Sequence, residues 1–190
     1  MKDFLEIIKI VIIFSILILI NNNLVYGITL DEQIKISNEA KVLCTSLNNY
    51  CSVRFFESYV PQGYTSYDHT IHLSTGLTNY LDYNETRAVV LHEVGHVVLN
   101  HYKKQDKFLS TWNLNTKELQ SFRHSNEYAA DEFATRYILL LHQQNYLGQA
   151  LTKLTAPTKM NLATMTHPST NDRIKQINSI KVNSYRSLLK

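Results

Sequence analysis

The chain of 190 residues is poor in residues that break or staple a backbone: five glycines, three prolines and two cysteines. So few breakers exclude a loop-rich or collagen-like chain and favour helices joined by short connections. Two cysteines are too few for a disulfide framework, and without a Cys-x-x-Cys spacing they offer no zinc ribbon. A block of like charge is also missing. Nineteen Lys and Arg against sixteen Asp and Glu leave a formal net charge of +3, with the basic residues scattered. That distribution gives no footprint for nucleic acid. No internal repeat, low-complexity tail or linker is visible. An apolar content of 44% over this length suits one compact domain with its own core.

One long apolar run is present, residues 10–20. Lys2 and Lys9 precede it, and three asparagines and then Leu24, Val25, Tyr26 and Gly27 follow. A short basic region, an apolar stretch and small residues before a cut after Gly27 make a signal peptide. A bilayer span needs about 20 apolar residues, so an anchor would have to recruit Ile7, Ile8, Leu24 and Val25. Residues 1–27 are therefore expected to be a signal peptide or an N-terminal membrane anchor, with residues 28–190 as the functional domain. Either way the domain is expected to be exported, periplasmic or membrane-anchored and facing outside the cytoplasm, with any membrane association made through the N-terminus. In an oxidising compartment Cys44 and Cys51, seven apart, can close a short loop; two buried or unpaired thiols are the alternative.

Beyond that segment, Ile34, Ala40, Leu43 and Leu47 recur at helical spacing over 31–47. Residues 52–56 are β-branched and aromatic enough for a strand. Val60-Pro61-Gln62-Gly63 is a turn. His69, Thr70, Ile71, His72 and Leu73 alternate in period two as a second strand, with a helix following from Ser74. Asn84 is taken as the N-cap of a helix over 85–102. A polar connection over 103–124 leads to a helix over 126–142, and the remainder is helical with breaks at Asn145, Pro157 and Pro168.

Within 85–102 stands His92-Glu93-Val94-Gly95-His96. Residues four apart share a helix face, so both imidazoles can reach one ion, while Glu93 leans in from the side. Zinc lowers the pKa of a bound water to about 7, and a carboxylate within hydrogen-bond reach can take its proton. A catalytic zinc needs a third protein ligand and an open position. Glu127, 31 residues after His96, is the candidate. Asp131, one turn further, can accept from the outer nitrogen of a liganding histidine. Taken alone, Glu127 and Asp131 would be first-turn acids stabilising a helix dipole; beside a zinc motif that lacks its third ligand, that alternative loses.

Three blocks together resemble the gluzincin metallopeptidases of the HtpX and CAAX-prenyl-endopeptidase family. They are Thr75-Gly76-Leu77 with the run from Ala88 through His101, Glu127-Tyr128-Ala129-Ala130-Asp131, and the stretch from Thr166 through His167, Pro168 and Arg173 to Ile174. The resemblance spans residues 53–177 and implies an α+β, zincin-like fold, mostly helical, with a small sheet on the zinc-binding helix. It implies a zinc endopeptidase with one Zn2+ per chain, held by His92, His96 and Glu127, with Glu93 as base. It also implies that His69, Thr70, Ile71, His72 and Leu73 form the edge strand on which a polypeptide substrate lies. His167 and Arg173 then fall near the site. His167 would either stabilise the oxyanion or fill the open metal position and hold the enzyme latent; Arg173 would pair with a nearby acid. The chain departs from the family where Tyr64-Thr65-Ser66-Tyr67-Asp68 replaces the Asn-Ala-aromatic element before the edge strand. The family's multiple spans and repeat domain are also absent. His101 matches the family pattern but lies nine from His92 and five from His96, and is expected to pack or hydrogen-bond at the helix end instead of binding metal; His72, His124 and His142 are treated as ordinary. Unfolded or misassembled envelope proteins are the expected substrates, against the alternative of a latent or non-catalytic zinc-binding chaperone or adaptor module.

Overall fold

The structure, a computed structural model, describes residues 27–111, 115–142, 144–156 and 163–181; the expected export segment lies outside them, but for Gly27. Among the described residues, no helix is long and apolar enough to cross a membrane. The fold is α+β and mostly helical. Helix α1 (Leu30–Ser46) leads into strand β1 (Ser52–Phe56), β2 (Gly63–Thr65) and β3 (Thr70–Ser74), followed by the short α2 (Thr75–Tyr80). Then come α3 (Tyr83–Val98), α4 (His101–Thr111), α5 (Thr116–His142), α6 (Tyr146–Thr155) and α7 (Thr170–Ser179).

Helix α3 is the centre of the molecule. Twelve of its sixteen residues are buried, so it is covered on nearly every side, as an apolar helix must be. One core, with Ile36, Ala40, Ile71, Leu73, Val90 and Val94, joins it to α1 and the sheet. A second, with Ala88, Leu91, Ala134, Ile138, Leu147 and Ile177, joins it to α5, α6 and α7. Helix α5 comes close because Gly95 has no side chain: a Cβ there would lie 3.1 Å from the Ala130 Cα.

Several boundaries differ from the sequence reading. Helix α3 is capped by Asp82, not Asn84. The Asp82 side chain accepts from the Glu85 N–H, and the Glu85 carboxylate accepts from the Asp82 N–H; this reciprocal box satisfies two free donors where Asn84 offered one. The helix ends at Val98, because Asn100 takes a left-handed φ of 55°, and His101 opens a new helix. Helix α5 begins ten residues earlier than expected, absorbing part of the polar stretch. Glu127 therefore lies roughly three turns inside the helix, too far from its N-terminus to act on the dipole.

The sheet order is β1-β3-β2, with β1 parallel and β2 antiparallel to β3. The expected edge strand over 69–73 is therefore the central strand. Thr70 to Ser74 are hydrogen-bonded on both sides and have no free backbone row for a substrate, and His69 sits in a turn with φ 65°. The edge on the side of α3 is β2, three residues long, within the segment the sequence showed only as a turn and a departure from the family pattern.

Cys44 at the end of α1 and Cys51 before β1 are joined in a disulfide with Cα atoms 6.0 Å apart. Closing so short a loop stabilises the fold by about 2.5 kcal/mol in the chain-entropy account. The Cys44→Ala/Cys51→Ala variant is expected to unfold at correspondingly lower urea concentration. An unchanged midpoint, or one insensitive to reductant in the wild type, would refute this.

Candidate metal centre

Helix periodicity puts His92 and His96 on one face of α3, and the close approach of α5 at Gly95 brings Glu127 opposite them. The outer nitrogen of each imidazole is engaged: His92 Nδ1 lies 2.9 Å from Asp131 Oδ1, and His96 Nδ1 lies 2.9 Å from His101 Nδ1. Both Nε2 atoms are thereby turned inward, 3.1 Å apart. Glu127 Oε1 is 3.3 Å from His96 Nε2, and Oε2 is 3.6 Å from His92 Nε2. One ligand atom from each of the three residues lies within 4.8 Å of the others, a group that could hold a metal ion.

Their fit to a cation shows in what they leave unsatisfied. Glu127 Oε2 is buried without a hydrogen-bond partner, and two imidazole nitrogens with a carboxylate concentrate lone pairs on one point. Such a donor set, nitrogen and oxygen with an approach left open, suits zinc. Burial disfavours a charged His92, but the Asp131 and Glu127 contacts outweigh it and lift its pKa to about 10. Burial would raise the Glu127 carboxyl, yet His92 and His96 hold it far below the usual carboxylate range.

Arg173, at the start of α7, closes the back of the site. Its Nε donates to Asp131 Oδ2 at 2.8 Å and its Nη2 to Oδ1 at 2.6 Å, while Nη1 lies 3.6 Å from Glu127 Oε2. Asp131 thus links Arg173 to His92. On the open side, His167 Nε2 is 3.6 Å from Glu127 Oε2, and its Nδ1 is 2.7 Å from the Thr166 hydroxyl. Burial lowers the His167 pKa.

Glu93 is 7% exposed at the cleft floor, where the Thr65 hydroxyl donates to its Oε2 at 2.7 Å. The Tyr102 hydroxyl donates to the Thr65 carbonyl, tying α4 to β2. Two residues at this site escaped the sequence reading, Thr65 and Tyr102, whereas His101 hydrogen-bonds near the helix end as expected, its partner being His96. His101 is buried and pushed down by that burial, with help from His96, to about pKa 3. Helical spacing from His92 gave no hint of that partner, because the chain turns at Asn100. Thr65 carried no signal, its strand being too short.

The other residues of the expected strand lie elsewhere. His72 stacks on Tyr64 with ring centroids 4.8 Å apart and its Nε2 is 3.0 Å from the Ser66 hydroxyl. Ile71 and Leu73 are core residues, Thr70 bonds to Asp68, and His69 Nδ1 is 3.2 Å from the Tyr50 carbonyl. His124 Nε2 meets the Thr164 carbonyl at 2.8 Å.

A search among curated proteins finds no match to this chain. Residues 60–186, which include β2, His92, Glu93, His96, Glu127, Asp131, His167 and Arg173, match the family described as Peptidase U49, and over two thirds of its length the chain belongs to that peptidase family.

Proposed function

We propose that this peptidase is a zinc-dependent endopeptidase of the gluzincin kind, akin to the HtpX and CAAX-prenyl-endopeptidase family, working on unfolded or misassembled polypeptides outside the cytoplasm. The observation that carries this reading is the convergence of His92 Nε2, His96 Nε2 and an unpartnered Glu127 oxygen beside the buried carboxylate of Glu93. His92, His96 and Glu127 would hold the ion, which when bound would polarise the scissile carbonyl and acidify a water. Glu93 takes the proton from the attacking water and delivers it to the leaving amine. Asp131 fixes the tautomer of His92, and Arg173 anchors Asp131. We assign His167 to the oxyanion of the tetrahedral intermediate.

The substrate strand adds to β2. Ser74 N–H donates to the Gln62 carbonyl and Ser66 N–H to that of Thr70, so the backbone groups of Gly63 and Thr65 alternate away from β3. The Thr65 carbonyl is taken by Tyr102, which leaves Gly63 and the Thr65 N–H for a peptide.

Purified protein is expected to carry one zinc per chain by mass spectrometry and to degrade casein, a chelator stopping the cleavage and added zinc restoring it. Cleavage indifferent to chelator would overturn the metal. One zinc per chain without cleavage would favour the non-catalytic zinc module.

A further inference from the structure

The cleft on either side of Glu93 has two lobes of opposite character. They meet at Gly63, Glu93 and His167 and diverge from there. One lobe, of about 390 Å3, runs toward α2 and α6 between Val60, Leu77, Val89, Leu147, Leu151 and Leu154. The charged groups at its inner end, His92 and Arg173, are already engaged by Asp131. Apart from Glu93 and His167 at the junction of the two lobes, the rest of its lining is mainly apolar, so an apolar side chain gains there by leaving water.

The other lobe, of about 280 Å3, lies between β2, α4 and α5 and is lined by Tyr102, Gln105, Arg123, Asn126 and Thr166. Arg123 stands one helical turn before Glu127 and so faces the same way. It is half-buried. Among the described residues it makes no hydrogen bond or ion pair, unlike Arg173, Arg87 and Arg136, each held by a carboxylate. The nearby acids are committed, Glu127 to the histidines and Glu93 to Thr65. A guanidinium left in a catalytic cleft without an internal partner has its five donors available for a carboxylate brought by a ligand.

We propose that these lobes set the specificity of the cleft: it takes peptides in which a bulky apolar residue fills the first lobe and a carboxylate on the other side of the scissile bond is held by Arg123. Successive side chains of an extended strand point to opposite faces, so neighbours of the bond can enter diverging lobes. The proposal rests on the peptidase reading above, and Arg123 acts in it as a specificity determinant that takes no part in the bond chemistry. The carboxylate can belong to an acidic side chain or to the peptide C-terminus.

The test uses the full chain carrying Glu93→Gln, so that binding is read without turnover. Fluorescein-labelled seven-residue peptides in a Gly/Ser frame carry Phe-Glu or Glu-Phe at their centre, with free and amidated C-termini, and are titrated by anisotropy. One of the two orders is expected to bind about tenfold tighter than its Phe→Ser and its Glu→Gln counterparts. Adding Arg123→Gln should remove the difference between Glu and Gln peptides while keeping that between Phe and Ser. A loss on Glu→Gln identifies the side-chain carboxylate, and a loss confined to amidation identifies the C-terminus. Equal affinity across the set, or an acid preference that survives Arg123→Gln, would overturn the proposal. The same peptides given to the wild type with zinc separate the two levels. Tight selective binding without cleavage sinks the peptidase reading alone, and cleavage without these preferences sinks the specificity alone.

Discussion

Replacing Glu93 by Gln is expected to lower kcat/KM for a quenched peptide by about 1000-fold or more while zinc content stays at the wild-type level. Glutamine keeps the length of the side chain and an oxygen that can accept from the Thr65 hydroxyl, now 2.7 Å from Glu93 Oε2. The cleft floor should therefore hold its shape. What is lost is the carboxylate that serves as the base. Glu93 is not among the three residues that converge as ligands, so metal should be retained; if zinc falls with activity, the carboxylate is a ligand and the base lies elsewhere. Activity within tenfold of wild type would remove Glu93 from the mechanism. Thr65→Val is the useful companion. It removes only the donor to Glu93, and its smaller effect on rate should come without loss of metal.

How far the sequence reached follows from which features are periodic. His92, Glu93 and His96 could be placed because one helix supplies them, and a period of 3.6 fixes their face without knowledge of the rest of the fold. Glu127 and Asp131 could be paired for the same reason; a zinc motif lacking its third ligand already weighed against the alternative of a helix dipole, and the true start of α5 at Thr116 removes it on geometry. The pattern stopped informing where the backbone leaves its period. Asn100, with φ 55°, swings His101 back onto His96, and no spacing rule spans that turn. The sheet was the weakest element for a related reason. Alternation identifies a strand but not its neighbours, so the residues of β3 looked the same whether central or at an edge. Pairing with both β1 and β2 depends on contacts the one-dimensional pattern does not contain. The three residues of β2 are too few to show alternation at all. Arg123 was invisible for another reason: a lone arginine on a polar helix face has meaning only once the cleft opposite it is known.

The second large effect belongs to the ion pair behind the site. Asp131 is 0% exposed and Arg173 8%, and two hydrogen bonds join them. Burial raises the Asp131 carboxyl, but Arg173 and His92 hold it below its usual range. Its stabilising contribution is accordingly present above about pH 4 and is lost as the pH falls through its lower folded value. Arg173→Met would leave that carboxylate buried with His92 alone, and breaking such a pair costs about 3–5 kcal/mol, or roughly 10 °C of Tm for a chain of this size. Zinc affinity should fall as well, by about 10- to 100-fold, since His92 loses its fixed tautomer and orientation when Asp131 is free to turn. Stability and metal binding can be separated with the double variant Asp131→Leu/Arg173→Met. It removes both charges at once and replaces them with apolar volume, so it should recover most of the lost Tm, yet His92 Nδ1 would now have lost its acceptor and zinc affinity should stay low. If affinity returned with Tm, Asp131 would be a packing residue only, and the orientation of His92 would have to come from α3 itself.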